Sequence, residues 1–175
     1  MLIFNLNEAI ILLERTPRIL NAMLSGLPDK WLYANEGPET WSPFNIVGHL
    51  IHGEKTDWMV RARIILEKGT AQPFKPFDRF AQFEESKGKS ITDLLEEFER
   101  VRKENLQALK QLNLTSADLR KKGIHPDFGE VTLKQLLATW VTHDLSHIRQ
   151  IARVIAKQYK TEIGPWAKYV PVVNE

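Results

Sequence analysis

The chain has 175 residues, of which 43% are hydrophobic and 26% charged, and a formal charge of +2 with its basic residues scattered rather than massed. That balance is ordinary for a globular protein and lacks the electrostatic footprint of a nucleic-acid binder. The absence of cysteine excludes a disulfide framework and a thiol nucleophile, so a transition-metal site would have to use nitrogen and oxygen ligands.

At this length a single domain over residues 1–175 is the simplest organisation. The apolar start Met1-Leu2-Ile3-Phe4 has no basic residue before it and is interrupted by Asn5, Asn7 and Glu8, so it does not read as a signal peptide. No stretch approaches the ~18 uninterrupted apolar residues of a spanning helix. The expectation is a soluble, cytoplasmic protein that engages neither membrane nor nucleic acid.

The first predicted helix runs from Leu6 to Ser25, with Asn5 as N-cap, Glu8 three positions on, and Gly26 and Pro28 as the stop. Pro17 lies inside it and predicts a kink or a break, because it removes a backbone donor. The second helix starts at Ser42-Pro43, repeats apolar residues through Ile46, Val47, Leu50, Ile51, Trp58 and Ile65, and ends at Gly69. A long connection follows from Thr70 to Lys89, rich in proline and phenylalanine. The third helix opens at Ser90 with Asp93 behind it and runs to Leu112, its outer face alternating Glu with Lys and Arg. Thr115 to Asp118 predicts a short extra helix before Gly123. The fourth long helix begins at Thr132, where Gln135 completes a capping box, and continues to Lys160. Only Tyr169 to Val173 hints at a strand-like alternation. Four long amphipathic helices predict an all-α four-helix bundle.

The chemistry concentrates on the fourth helix. His143 and His147 are four residues apart, so their imidazoles share one helical face and can converge on one cation. At 100° per residue, His147 falls within the arc of Leu133, Leu136, Leu137, Trp140, Ile148, Ile151 and Ile155. His143 lies at its edge and Asp144 near its centre. Buried ionisable groups need compensation. A metal would compensate the imidazoles, with Asp144 orienting a ligand or a water; alternatively Asp144 bonds this helix to a neighbour. On the second helix, Glu54 falls among the apolar residues, His49 lies just outside the arc and His52 farther towards solvent. The wheel alone leaves His49 undecided. His125, beside Pro126, reads as a loop residue. Trp140 and Trp58 read as core, Trp41 as a staple or a pocket lip, and Trp166 as an anchor for the C-terminal tail.

Several pieces occur in a telling order: Thr16-Pro17, then Trp41-Ser42-Pro43 leading into Gly48-His49-Leu50 and Glu54, then Thr132-Leu133, then His143 to Ile151, then Gly164-Pro165-Trp166. In this order and spacing the chain resembles the DinB-like (DinB/YfiT) metalloenzyme family over nearly its whole length. The resemblance implies a four-helix bundle with a long crossover between the second and third helices. It also implies one divalent metal held by three histidines, here His49, His143 and His147, and so favours His49 over His52. A three-imidazole site with open positions is of the catalytic kind and suits Zn or Ni, with Fe and Mn as further options. Activities implied by the resemblance are S-transfer of a low-molecular-weight thiol, or hydrolysis, on a small electrophile. Glu54 would then handle protons or support a ligand, and Asp144 and Gln150 would orient substrate or water. The alternative is a non-catalytic bundle whose metal is structural or sensed. Members that pair through their helices also imply a homodimer.

Overall fold

A computed structural model describes residues 2–175. In chain order the helices are α1 (Leu6–Leu24), α2 (Asp29–Leu32), α3 (Pro43–Thr56), α4 (Trp58–Glu67), α5 (Ala81–Glu85), α6 (Ile91–Gln111) and α7 (Leu133–Lys157). Strands β1 (Lys122–His125) and β2 (Gly129–Thr132) form an antiparallel hairpin between α6 and α7. Four long rods make the bundle: α1, α3 continued by α4, α6, and α7. The connection containing α5 is the long crossover between the second and third rods. Among the described residues, no helix is long and apolar enough to cross a membrane.

The helix starts follow their side chains. Asn5 accepts from the Glu8 amide, while Ser42 with Asn45, Ser90 with Asp93, and Thr132 with Gln135 close reciprocal capping boxes. Differences from the sequence expectations have local causes. The second rod breaks at Asp57 (φ −114°, ψ −74°), giving α3 and α4 where one helix was expected. The hairpin was not foreseen, since four-residue strands are too short to establish a period. It packs closely on the bundle: a Cβ at Gly123 would lie 2.8 Å from Ile65 and 2.9 Å from Phe74. Residues 169–173 form tight turns rather than a strand, having no neighbouring strand to pair with. Trp166 is 69% exposed and does not anchor the tail; buried Val173 and the Arg149–Glu175 ion pair (2.7 Å) do.

Helix α1 runs unbroken through Pro17. The amide that proline lacks would have donated to the Leu13 carbonyl, four residues back. That carbonyl instead accepts from Arg102 Nη1 of α6 at 2.9 Å. Arg102 is 1% exposed and organises a polar layer across the bundle. It binds Asp144 of α7 through both guanidinium ends (2.6 and 3.0 Å) and Glu54 of α3 at 2.8 Å. Thr16 donates to Asp144 (2.6 Å), and Trp140 and Asn105 donate to Glu54 (both 2.9 Å). Burial works against the guanidinium charge, but the Asp144 and Glu54 carboxylates outweigh it and raise its pKa. The layer divides the apolar core in two. Leu13, Trp58, Leu106 and Trp140 pack on one side; Leu20, Leu50, Phe98 and Ile151 pack on the other.

Candidate metal centre

Beside this layer α3 and α7 bring three imidazoles together. His143 Nε2 lies 3.2 Å from His49 Nε2 and 3.1 Å from His147 Nε2. One nitrogen from each ring falls within 4.8 Å of the others, an arrangement that could hold a metal ion. Three inward nitrogens so close repel one another through their lone pairs unless a proton or a cation lies between them. His147 Nδ1 meets Gln150 Oε1 at 2.8 Å. An amide oxygen can only accept, so this contact assigns the proton to Nδ1 and leaves the Nε2 lone pair facing inward. The Nδ1 atoms of His49 and His143 are buried without partners among the described residues.

His52, three residues from His49, turns away and meets Glu85 at 2.9 Å. It is buried, although the wheel put it towards solvent; α5 and Phe77 of the crossover cover a surface that a bare bundle would expose. Trp41 closes the centre from the other side, 4.8 Å from the His49 ring and stacked on His147 at 18°. Trp58 packs its face on Trp140 and meets His143 edge-on at 5.1 Å.

Burial depresses the pKa of all three imidazoles, and mutual repulsion adds to it for two: His49 falls to about 3 and His143 to about 2. Neutral rings are what a metal requires. In the unfolded chain these histidines take up protons below their ordinary value of 6.5. In the folded, metal-free chain they resist. The unfolded state therefore binds more protons as pH falls from about 6.5 towards about 3, and stability falls with it. The expected slope is up to about 1.4 kcal/mol per pH unit for each proton taken up. Urea unfolding of chelator-stripped protein at about pH 7.5, 6 and 5 should show that loss, and His143→Gln should flatten it. A wild-type stability that stays level to about pH 5 contradicts this account.

The carboxylates expected to work beside the histidines sit elsewhere. Glu54 and Asp144 have their oxygens engaged by Arg102, Trp140, Asn105 and Thr16, and neither lines the cavity that opens from the triad. The inward position of both was legible; their partner was not. Arg102 sits four residues from Phe98 and four from Leu106 on the apolar stripe of α6, and that one cation among apolar residues was the available signal.

The cavity has a volume of about 500 Å³. The carboxylate on its wall, Asp57, was not foreseen. Burial raises its pKa, and Arg61 Nε lies against it to oppose the shift. His125, expected in a loop, stands in β1 and lines the far end with Phe128 stacked on it at 4.4 Å.

The sequence profile of the DinB superfamily matches residues 12–151. No curated protein matches the chain. Among solved structures, YfiT from Bacillus subtilis superposes with a TM-score of 0.76 and 22% identity, over 87% of each chain. It is described as a probable metal-dependent hydrolase with an unusual four-helix bundle topology. TT2238, described as a four-helix bundle protein, superposes with a TM-score of 0.56 and 19% identity, over 85% of this chain and 98% of that one. Both share the bundle.

Proposed function

Because the chain belongs to the DinB superfamily, we propose that it is a metal-dependent hydrolase of a small carboxylic acid derivative, with His49, His143 and His147 as the metal ligands. The single observation that carries this is the convergence of three neutral imidazole Nε2 atoms at the end of a cavity of about 500 Å³. YfiT, with the same fold, is described in the same terms. A divalent ion held by uncharged ligands keeps its full charge, which lowers the pKa of a water towards ~7 and polarises a carbonyl.

The chain's own residues supply the rest. Gln150 fixes the His147 ring by accepting from its Nδ1–H. Trp41 and Trp58 pack against the rings and fix their orientation. Glu54 and Asp144 hold α3 and α7 in register through Arg102, and so act as positioning residues. Thiol transfer is the second reading, and a specific feature favours it. A neighbouring cleft of about 680 Å³ shares Trp41 and Arg79 with the main cavity and contains Gln150, which leaves room for a second reactant.

The deciding experiment measures metal by elemental mass spectrometry, then assays the loaded protein on aryl esters and anilides with and without a small thiol. Metal-dependent release without thiol supports hydrolysis. Release only with thiol, with a thioether or thioester product, transfers the assignment to the second reading. No metal after incubation with Zn, Ni, Fe and Mn removes both.

A further inference from the structure

Two side-chain stripes define the cavity's long axis. On α3 and α4 the stripe is His49, Gly53, Asp57 and Arg61; on α7 it is His143, Thr139 and Gln135. Each steps by four residues, so each follows one helical face. From His143 to Gln135 the axis covers about 12 Å, at ~1.5 Å per residue. Phe74, Phe77 and Leu136 line its length, and Phe128 and Val131 of the hairpin region close the far end. The wall between is mostly apolar, broken by the Asp57–Arg61 pair and by Thr139 and Gln135.

Two donors without partners among the described residues stand at the triad end. Trp58 is buried, and its indole N–H has no acceptor among the described residues, whereas that of Trp140 donates to Glu54. Gly53 lies beside it: a Cβ there would sit 3.4 Å from Trp58 Nε1. The missing side chain at Gly53 therefore leaves that N–H open to the cavity one turn from His49. The second donor is Arg79, which lines the cavity and has no ion pair or hydrogen bond among the described residues. Its charge bears on His49. Among the described residues the one carboxylate on the wall, Asp57, is matched by Arg61. The lining thus carries an unbalanced positive charge, which an anionic or carbonyl oxygen complements.

We propose that this cavity is an acyl channel. It seats the aryl or branched-aliphatic half of a carboxylic acid derivative, with the carboxyl carbon beside the triad and its oxygens taken by Trp58 Nε1–H and the Arg79 guanidinium. This names the substrate class for the hydrolase reading and rests on it for the reaction. The binding itself depends on Trp58, Arg79 and Gly53, none of which is a proposed metal ligand. In hydrolysis the oxygen of water would add to that carbon and the bond to the leaving heteroatom would break; one water proton would go to the leaving group and the other to solvent as the acid ionises. The carboxylate product would remain on the same two donors.

The test is calorimetric titration of 3-phenylpropionate and of neutral 3-phenylpropanol into full-length protein, metal-loaded and metal-free, with metal content measured on the same samples. The wild type should prefer the carboxylate in both states. Arg79→Ala should weaken the carboxylate about tenfold and leave the alcohol unchanged, the size of one charge-assisted hydrogen bond. Trp58→Phe, which keeps the ring and removes the N–H, should weaken both probes several-fold. Gly53→Val should abolish binding of both while metal content stays at the wild-type level. Absence of binding, or binding indifferent to Arg79→Ala and Gly53→Val, overturns the channel whatever the metal content. Binding with these dependences in a protein that takes up no metal supports the channel and removes the hydrolase reading alone.

Discussion

Arg102→Met is expected to destabilise the protein by about 3–5 kcal/mol, a large part of the ~5–15 kcal/mol that holds a typical domain together. The loss comes from what the substitution leaves behind. Glu54 and Asp144 are 3% and 2% exposed, and without the guanidinium two carboxylates would remain in the bundle interior with only neutral donors. Arg102→Lys should recover little, because one ammonium cannot reproduce the fork that reaches Asp144, Glu54 and the Leu13 carbonyl together. Removing all three charges at once, as Arg102→Met with Glu54→Met and Asp144→Leu, should be milder than Arg102→Met alone, since a buried ion network often trades evenly against apolar packing. Guanidinium unfolding measures each variant. A loss below about 1 kcal/mol for Arg102→Met would mean that water reaches the layer and the charges are not desolvated.

The second large effect is on metal affinity. His143 is the central member of the triad, within 3.2 Å of both other rings. His143→Ala should lower affinity at least about a hundredfold in chelator competition. Structural zinc sites with four ligands contribute ~10–16 kcal/mol, or roughly 3 kcal/mol for each ligand, and about 1.4 kcal/mol is tenfold. Gln150→Ala, which frees the His147 ring without removing a ligand, should lower it about tenfold. His52→Ala is the control: its Nδ1 faces Glu85, so affinity should not change. Equal loss in the His52 and His143 variants would place the metal outside the triad.

The bundle was legible because its signals are local. Asn5, Ser42, Ser90 and Thr132 announce helix starts through hydrogen bonds to residues three positions away, and the 3.6-residue period announces the faces. The inward positions of Glu54 and Asp144 followed from the same period. What it could not give is who meets whom. Arg102 and Glu54 are 48 residues apart, and His49 and His143 are 94 apart. Helical wheels carry no information across such separations, which is why His49 had to be chosen over His52 by resemblance. The break at Asp57 and the hairpin escaped for another reason. No proline or glycine marks the first, and the second depends on Gly123 fitting under Ile65 and Phe74, a tertiary contact.

The unbroken course of α1 through Pro17 bears on how the protein is made. Leu13 offers a carbonyl that its own helix cannot use, and the donor that takes it lies 89 residues later. During synthesis at ~5–20 residues per second, α1 is finished roughly 4–16 seconds before Arg102 exists. For that interval the nascent helix has a gap in its ladder, filled only by water, and lacks α6 and α7, the two rods it packs against most. Asp144, which Thr16 contacts, comes later still. The N-terminal helix is therefore first to be made and among the last to be secured, so a ribosome stalled between α1 and α6 should display it open to protease.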